Sequence, residues 1–279
     1  WYTPNPTSAQ SRLHEDAQLQ VGHIGEVLKN GQLLRLNFGI FALQAGLMAM
    51  FTTLPFALKN LGWDKTSHWQ IYLPATVIGL VLMIPAIIVG ETRNKLKPVF
   101  LLGIGLTAAA QFALLGSLKT VWLIELSLVV YFIGFNILEA SMPSLVSKIA
   151  PSNLKGTAMG VYNTLQSVGV FTGGIIGSRL YAQYGFNGVF IFCGAIGVVW
   201  WLLAACAPAP KPVKNVMFAI PEAWQGDLGS LKTALQGSIG VESIAFSQDN
   251  KTLFIKALQQ GFDEANIRTI LLTGANKCP

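Results

Sequence analysis

The feature that most limits how this chain can fold is a series of long stretches without a charged residue. Leu36 to Leu58, Trp69 to Gly90 and Pro98 to Leu118 are each uncharged and bracketed by Arg35 and Lys59, His68 and Glu91, and Lys97 and Lys119. Val121 to Val146 is apolar apart from Glu125 and Glu139, and Gly156 to Ser178 and Asn187 to Ala207 are again uncharged. Crossing roughly 30 Å of hydrocarbon at about 1.5 Å per residue takes about 20 residues. Lipid offers the backbone no hydrogen-bond partner, so such a run must satisfy its amides internally as a helix. The expected architecture is an all-α transmembrane six-helix bundle within residues 33–207, with helices at about 36–58, 69–90, 98–118, 121–146, 156–178 and 187–207.

Composition agrees with lipid as the main solvent: 52% of the residues are hydrophobic and only 11% charged, against about 25% charged in an ordinary soluble protein. Residues 1–212 carry 13 Lys/Arg against 7 Asp/Glu and residues 213–279 carry 6 of each, so the whole +6 net charge belongs to the apolar part. There the basic residues punctuate hydrophobic runs instead of forming one solvated patch, which argues for topology signals and against a nucleic-acid partner.

Short loops rich in Lys and Arg stay in the cytoplasm. The loop after the second run holds Arg93, Lys95 and Lys97, the loop after the fourth holds Lys148 and Lys155, and Lys211 and Lys214 follow the sixth. The alternate loops carry less: Lys59 with Lys65, then Lys119, then Arg179. Both ends of the chain are therefore expected inside. Trp63, Trp69 and Trp122 fit an outer interface, whereas Trp200 and Trp201 fit either an interface or buried packing.

At PAPKPVKN the composition changes, and residues 208–212 read as a proline-stiffened linker. Beyond it, residues 213–279 form an expected soluble domain. Val213 to Ile220 reads as a strand and Leu228 to Leu235 as a helix. Val241 to Ser247 and Thr252 to Ala257 read as a hairpin turning at Gln248, Asp249 and Asn250, and Asp263 to Leu272 as a final helix. The order strand, helix, strand, strand, helix suggests a small α+β domain of the ferredoxin-like type lacking a last strand. The opening WYTPNPTSAQSRLHED is polar and Pro-containing, unlike a basic, apolar, cleavable leader, and reads as an interior loop.

Several residues could carry function. Glu139 is an ionisable group inside a span, where such groups are paired or functional. It is a proton-coupling candidate, with structural pairing to Lys148, Lys155 or the next helix's N-terminus as the other reading. Glu125 lies near the outer boundary and is a weaker candidate. Gln44, Tyr131, Asn136, Asn163 and Gln166, with Gln111 and Tyr162, are polar groups in an apolar setting that either bond between helices or line a substrate cavity. Gly169, Gly173 and Gly177 recur every four residues and share a helix face, with Gly160 and Gly174 nearby; the face permits close packing, either static or sliding during transport. His14, His23 and His68 are expected at solvated positions. Cys193, Cys206 and Cys278 have no metal-ligand spacing, and no phosphate loop, nucleophile elbow or carboxylate dyad points to an enzyme.

The stretches GETRNKLKPVF and PSLVSKIAPSNLKGTAMGVYNTLQSVGVFTGGIIGSRLYAQYG resemble the carboxyl-terminal half of major facilitator superfamily transporters. Pro143, Lys148, Pro151, the run Lys155 to Gly160 and the glycines beyond look like that family's tenth span, cytoplasmic loop and eleventh span. Gly90, Arg93, Lys95 and Lys97 look like the remains of its cytoplasmic gating loop, Gly-x-x-x-Asp-Arg-x-Gly-Arg-Arg, whose Asp and second Gly are absent here. LLRLNFGIFALQAGLMAMF and FNILEASMPSLVSK, together with a soluble tail, resemble the YajR-like branch. The resemblance implies half of a major facilitator fold, residues 1–32 as the central cytoplasmic loop, and an amino-terminal six-helix half as the missing partner. It implies a proton-coupled efflux antiporter for small amphipathic compounds in the bacterial inner membrane. Alternating access would be driven by the proton gradient with no cofactor or metal. The soluble domain would be regulatory or self-associating; it is similar in outline to heavy-metal-associated domains but lacks Cys-x-x-Cys. The alternative is a non-transporting membrane-anchored sensor with a cytoplasmic ligand-binding domain.

Overall fold

A computed structural model describes residues 24–93, 95–151, 154–207, 213–221, 224, 227–246, 252–258 and 262–275. The expectations placed on residues 1–23, including His14 and His23, on the linker 208–212 and on the turn at 248–250 lie outside the described residues. The helices are α1 (Ile24–Lys29), α2 (Gly31–Asn60), α3 (Trp69–Thr92), α4 (Leu96–Ser117), α5 (Val121–Ile149), α6 (Lys155–Ala205), α7 (Leu228–Gln236) and α8 (Glu264–Ala275); the strands are β1 (Val213–Ala219), β2 (Val241–Phe246) and β3 (Thr252–Leu258). The chain divides into two compact units. One comprises Leu28–Val146 and Val161–Pro210; the other holds Ser147–Gly160 and Lys211–Pro279 together with the chain's first 27 residues.

Five helices, α2 to α6, are long and apolar enough to cross a membrane. The first departs from expectation at its start. Residues 24–32 read as loop, yet α1 occupies Ile24–Lys29, and Asn30 then caps α2 by accepting from the amides of Gln32 (3.0 Å) and Leu33 (3.3 Å). An Asn in extended conformation that satisfies two orphan amides starts a helix in water as well as in lipid, so α2 begins before its apolar run. Its far end closes on Gly62 at φ +84°, with Gly62 donating to Lys59 O and Trp63 to Leu58 O, a Schellman motif that needs the left-handed glycine.

The last helix differs more. α6 is 51 residues long, about 76 Å at 1.5 Å per residue, far beyond one crossing. It is interrupted at Gly185, whose φ of +62° and ψ of −154° are outside helical geometry. Contacts with α2 fix the direction of the arm on either side of that break. A Cβ built on Gly169, Gly173 or Gly177 of the first arm would strike Phe41, Ala45 and Ala49 in turn. In the second arm, Cys193 Sγ bonds Gly46 O and the Trp200 ring lies against Gly39. The first arm thus ascends α2 and the second descends it, so the chain reverses at Gly185. The second arm also descends α4 in antiparallel register, with Gly194 against Phe112, Gly197 against Ala108 and Trp201 Nε1 bonded to Leu101 O.

The core of this unit joins Met50, Leu54 and Leu58 of α2, Ile71 and Ala75 of α3, Leu114 of α4, Ile124, Leu128 and Phe132 of α5, and Phe190 of α6. Leu73, Val77, Leu80, Val81, Ile84 and Ile88 of α3 remain exposed, the inverse of a soluble helix and the expected face toward lipid. His68, expected at a solvated position, is buried at 7% exposure, its Nε2 3.3 Å from Trp63 O and its ring edge-on to Tyr72. The Schellman turn folds the loop back over the ring, a tertiary effect that local polarity does not report. Trp69 and Trp122 are exposed and Trp200 is buried.

In the other unit the three strands form an antiparallel sheet of order β1-β3-β2. β3 is central, pairing Val216 with Ile255 on one side and Ile244 with Ile255 on the other. Phe218, Ile220, Leu253, Ile255 and Ala257 meet Leu231 and Leu235 of α7 and Ile267 and Leu271 of α8 in one apolar core.

Candidate functional site

Three helices converge on Glu139. The residue lies on α5, half-buried, and each carboxylate oxygen accepts from a different helix: Oε2 from Gln44 Nε2 of α2 at 3.3 Å, Oε1 from Gln166 Nε2 of the first arm of α6 at 3.2 Å. Both partners are neutral amides. The pairing with Lys148, Lys155 or the next helix's N-terminus considered from sequence gives way to this one, because the glycine seam brings α6 within one side-chain length of α2. A Cβ on Gly169 would come within 2.6 Å of Phe41 O and 3.2 Å of Gln44 Cβ, so the helix carrying Gln166 is seated beside the helix carrying Gln44. The seam is the structural support of the site.

The remaining candidates scatter around it. Tyr131, two turns before Glu139 on α5, is fully buried, stacked on Phe135 and edge-on to Phe132. It lines a small cavity with Gln111, Thr107, Gly46 and Cys193. Gln111 donates to Met50 Sδ at 3.6 Å, and its Oε1 is buried without a partner among the described residues. Asn136 has an Nδ2 that likewise finds no partner among the described residues. Asn163 shares a face with Gln166 at a spacing of three but is exposed. Gly160 is half-buried; at nine residues from Gly169, and about 100° per residue, it projects from the opposite side of α6 and takes no part in the seam.

Two polar groups gain weight from the structure. Asn37 is 1% exposed, and neither its Nδ2 nor its Oδ1 finds a partner among the described residues. Tyr162 is buried with a hydroxyl that finds no partner among the described residues. A buried polar group without a partner costs about 1–3 kcal/mol, so helices retain one where another molecule or chain segment satisfies it. Asn37 lies seven residues before Gln44, on the same stripe of α2, and charting the polar residues of that stripe would have found it from sequence.

The basic loop after α3 is resolved into separate tasks. Gly90 is buried against Val99, at the edge of a groove with Ser141 and Ser144. Arg93 and Lys95 are exposed. Lys97 donates through Nζ to Ala205 O (2.8 Å) and Ala207 O (2.6 Å), closing the carbonyl end of the second arm of α6. A lysine there satisfies orphan carbonyls and complements the helix dipole.

Apolar helices packed through glycines, a polar centre on three of them and a small three-stranded α+β unit describe a membrane protein without naming its kind. The sequence model of the Major Facilitator Superfamily matches residues 1–174, more than half of the chain. The chain belongs to the Major Facilitator Superfamily. It is a multi-pass membrane protein of a transporter family, which points away from an enzyme and does not favour the sensor alternative. It is similar to the inner membrane transport protein YajR of Escherichia coli, 32% identical over 256 residues, covering 92% of this chain and 56% of that protein. It is also similar to the multidrug resistance protein MdtH of Aeromonas hydrophila, 26% identical over 187 residues, 64% of this chain and 46% of the relative. A third relative, the riboflavin transporter RibZ of Clostridioides difficile, is 33% identical over 92 residues, 32% of this chain and 20% of the relative. The chain therefore spans about half the length of the first two relatives and a smaller share of the third.

Proposed function

We propose that this chain is the carboxyl-terminal half of a proton-coupled efflux antiporter for small amphipathic compounds, and that Glu139 is its proton carrier. The observation that carries the reading is the amide pair on Glu139. Gln44 and Gln166 can donate an N–H to a carboxylate or accept the O–H of a carboxylic acid, so the same two side chains serve both protonation states. A lysine partner would serve only the ionised one.

In this reading the two arms of α6 cross the bilayer separately, making six crossings, and both ends of the chain lie in the cytoplasm of a cell whose inner membrane holds it. Gln44, Tyr131, Asn136, Asn163 and Gln166, with Asn37 and Tyr162, face the substrate route completed by an amino-terminal six-helix half. Facilitators place substrate between two such halves near the midplane. The seam of Gly169, Gly173 and Gly177 turns with its bundle as a rigid contact, since its glycines meet backbone atoms. Gly160 is left outside that role. Gly90, Arg93, Lys95 and Lys97 form the cytoplasmic gating loop, with Lys97 anchoring it to the end of α6. The proton gradient is the energy source, and no cofactor is needed. The β1-β3-β2 order, with α7 and α8 on one face, supports a ferredoxin-like reading of the soluble domain without its last strand.

The test is export of ethidium, an amphipathic cation, from proteoliposomes holding the whole protein under an imposed pH gradient. Glu139→Gln should reduce gradient-dependent export to the rate seen with the gradient collapsed. Wild-type rate and wild-type pH dependence in that variant would remove Glu139 from the mechanism.

A further inference from the structure

The soluble sheet has two faces, and only one is accounted for by its own helices. Leu253, Ile255 and Ala257 point to α7 and α8. By the alternation of a strand, Thr252, Phe254 and Lys256 point the other way. Phe254 stands in the centre of that second face, between Met217 on β1 and Ala245 on β2. Phe254 does not belong to the helix-side core, yet it is only 3% exposed, and Thr252 beside it is 8% exposed. Two small or flexible neighbours cannot cover a ring to that extent, so a segment from outside the sheet lies on it.

The next residue on that face points to a candidate for the segment. Lys256 Nζ donates to Ile149 O at 3.1 Å. Ile149 is the last residue of α5, where carbonyls have no partner within the helix and the dipole favours a cation. Residues 147–160 fall in the same compact unit as the soluble domain. Within them Ala150, Leu154, Thr157 and Ala158 are each at most 1% exposed, an apolar stripe out of place in a cytoplasmic connector unless something covers it.

We propose that the helix-free face of the soluble sheet is a docking surface for the segment joining α5 to α6, with Phe254 as its apolar anchor and Lys256 as a plug in the carbonyl end of α5. The soluble domain is then a latch on that joint. Glu139 lies ten residues upstream of Ile149 in the same helix sequence. The docking itself does not depend on the transport reading, and its test needs no substrate.

Amide hydrogen exchange of the whole protein in nanodiscs reads the docking directly. In the double variant Phe254→Ser with Lys256→Met, peptides within 147–160 should exchange about tenfold faster than in the wild type, while the helix-side core peptides of β3 and α8 keep their protection. Wild-type exchange in 147–160 with that core intact would overturn the proposal. Should the double variant lose its own core, Lys256→Met alone decides, because it leaves Leu253, Ile255 and Ala257 in place. It should speed exchange in 147–160 about threefold, with Lys256→Arg restoring protection, and no change would overturn the proposal.

Discussion

Helix α3 and helix α7 invert each other's rule. α7 buries Leu231 and Leu235 and turns its polar residues outward, as a helix in water must. α3 leaves a broad band of Leu, Val and Ile exposed and sends Ile71 and Ala75 into the bundle core. Burial of apolar area drives the first packing, whereas helices in lipid gain little from hiding Leu and associate through close backbone contact and polar bonds. The same contrast separates the two units: one core of interlocked Leu, Ile and Phe around a sheet, and one bundle held at its seam by glycines and at its centre by two glutamines on a glutamate.

The contrast is broken most severely at the seam. Gly173→Leu should abolish the monodisperse folded protein in detergent, because the new side chain would overlap Ala45 backbone, and overpacking against backbone costs at least 1–3 kcal/mol. Gly174→Leu, whose Cβ would meet only Met48 Cγ at 3.7 Å, should leave the size-exclusion profile unchanged. Equal loss from both variants would mean that length, not the seam, decides.

A core truncation separates the two solvents. Ile255→Ala should destabilise the soluble domain by about 2–5 kcal/mol in urea unfolding, since Ile255 is fully buried. Leu80→Ala on the lipid side of α3, where Leu80 is 50% exposed, should change stability by less than about 0.5 kcal/mol. A large effect at Leu80 would place protein against that face.

Lys97→Met should release the carbonyls of Ala205 and Ala207 and fray the last turn of α6. The expected local loss is about 1 kcal/mol after allowing for partial exposure, read as faster amide exchange in peptides reaching residue 207.

The smallest effect is at Asp227, the exposed N-cap of α7. Hydrogen bonding from Ser230 holds its carboxyl below the ordinary value of 3.8. A depressed folded pKa means that the cap is fully present above about pH 3.8 and lost as pH falls through the lower folded value. Asp227→Ala should lower the soluble domain's Tm slightly at neutral pH. The difference from wild type should vanish on acidification below that range, and a constant difference at all pH values would show that the cap does not act through its charge.

How far the sequence reaches depends on the same contrast. The positions of the spans follow from a strong, local requirement, about 20 uncharged residues in helical form; α2 to α5 cover the first four runs, and the last two lie within the single long helix α6. The soluble elements follow from alternation and turn chemistry. Glu139 was visible because a charge in an apolar run has few innocent explanations, and Gln44 and Gln166 because polar side chains there are rare. That those three meet was not visible: Gln44 and Glu139 are 95 residues apart, and the approach allowed by Gly169, Gly173 and Gly177 sets the helix of Gln166 beside that of Gln44. His68 was misjudged, and the bonds of Lys97 to Ala205 and Ala207 were missed, for a related reason, since a polar residue in a loop says nothing about which backbone folds over it.

The sequence by itself determined the solvent of each region, the existence and spacing of the long helices and the chemistry available inside them, because these depend on composition over about 20 residues. Tertiary structure alone decided the reversal at Gly185, the amide pair on Glu139 and the lysines closing helix ends at Ala205 and Ile149. Those depend on contacts between distant segments, where a few tenths of an ångström at a glycine decide whether two helices touch.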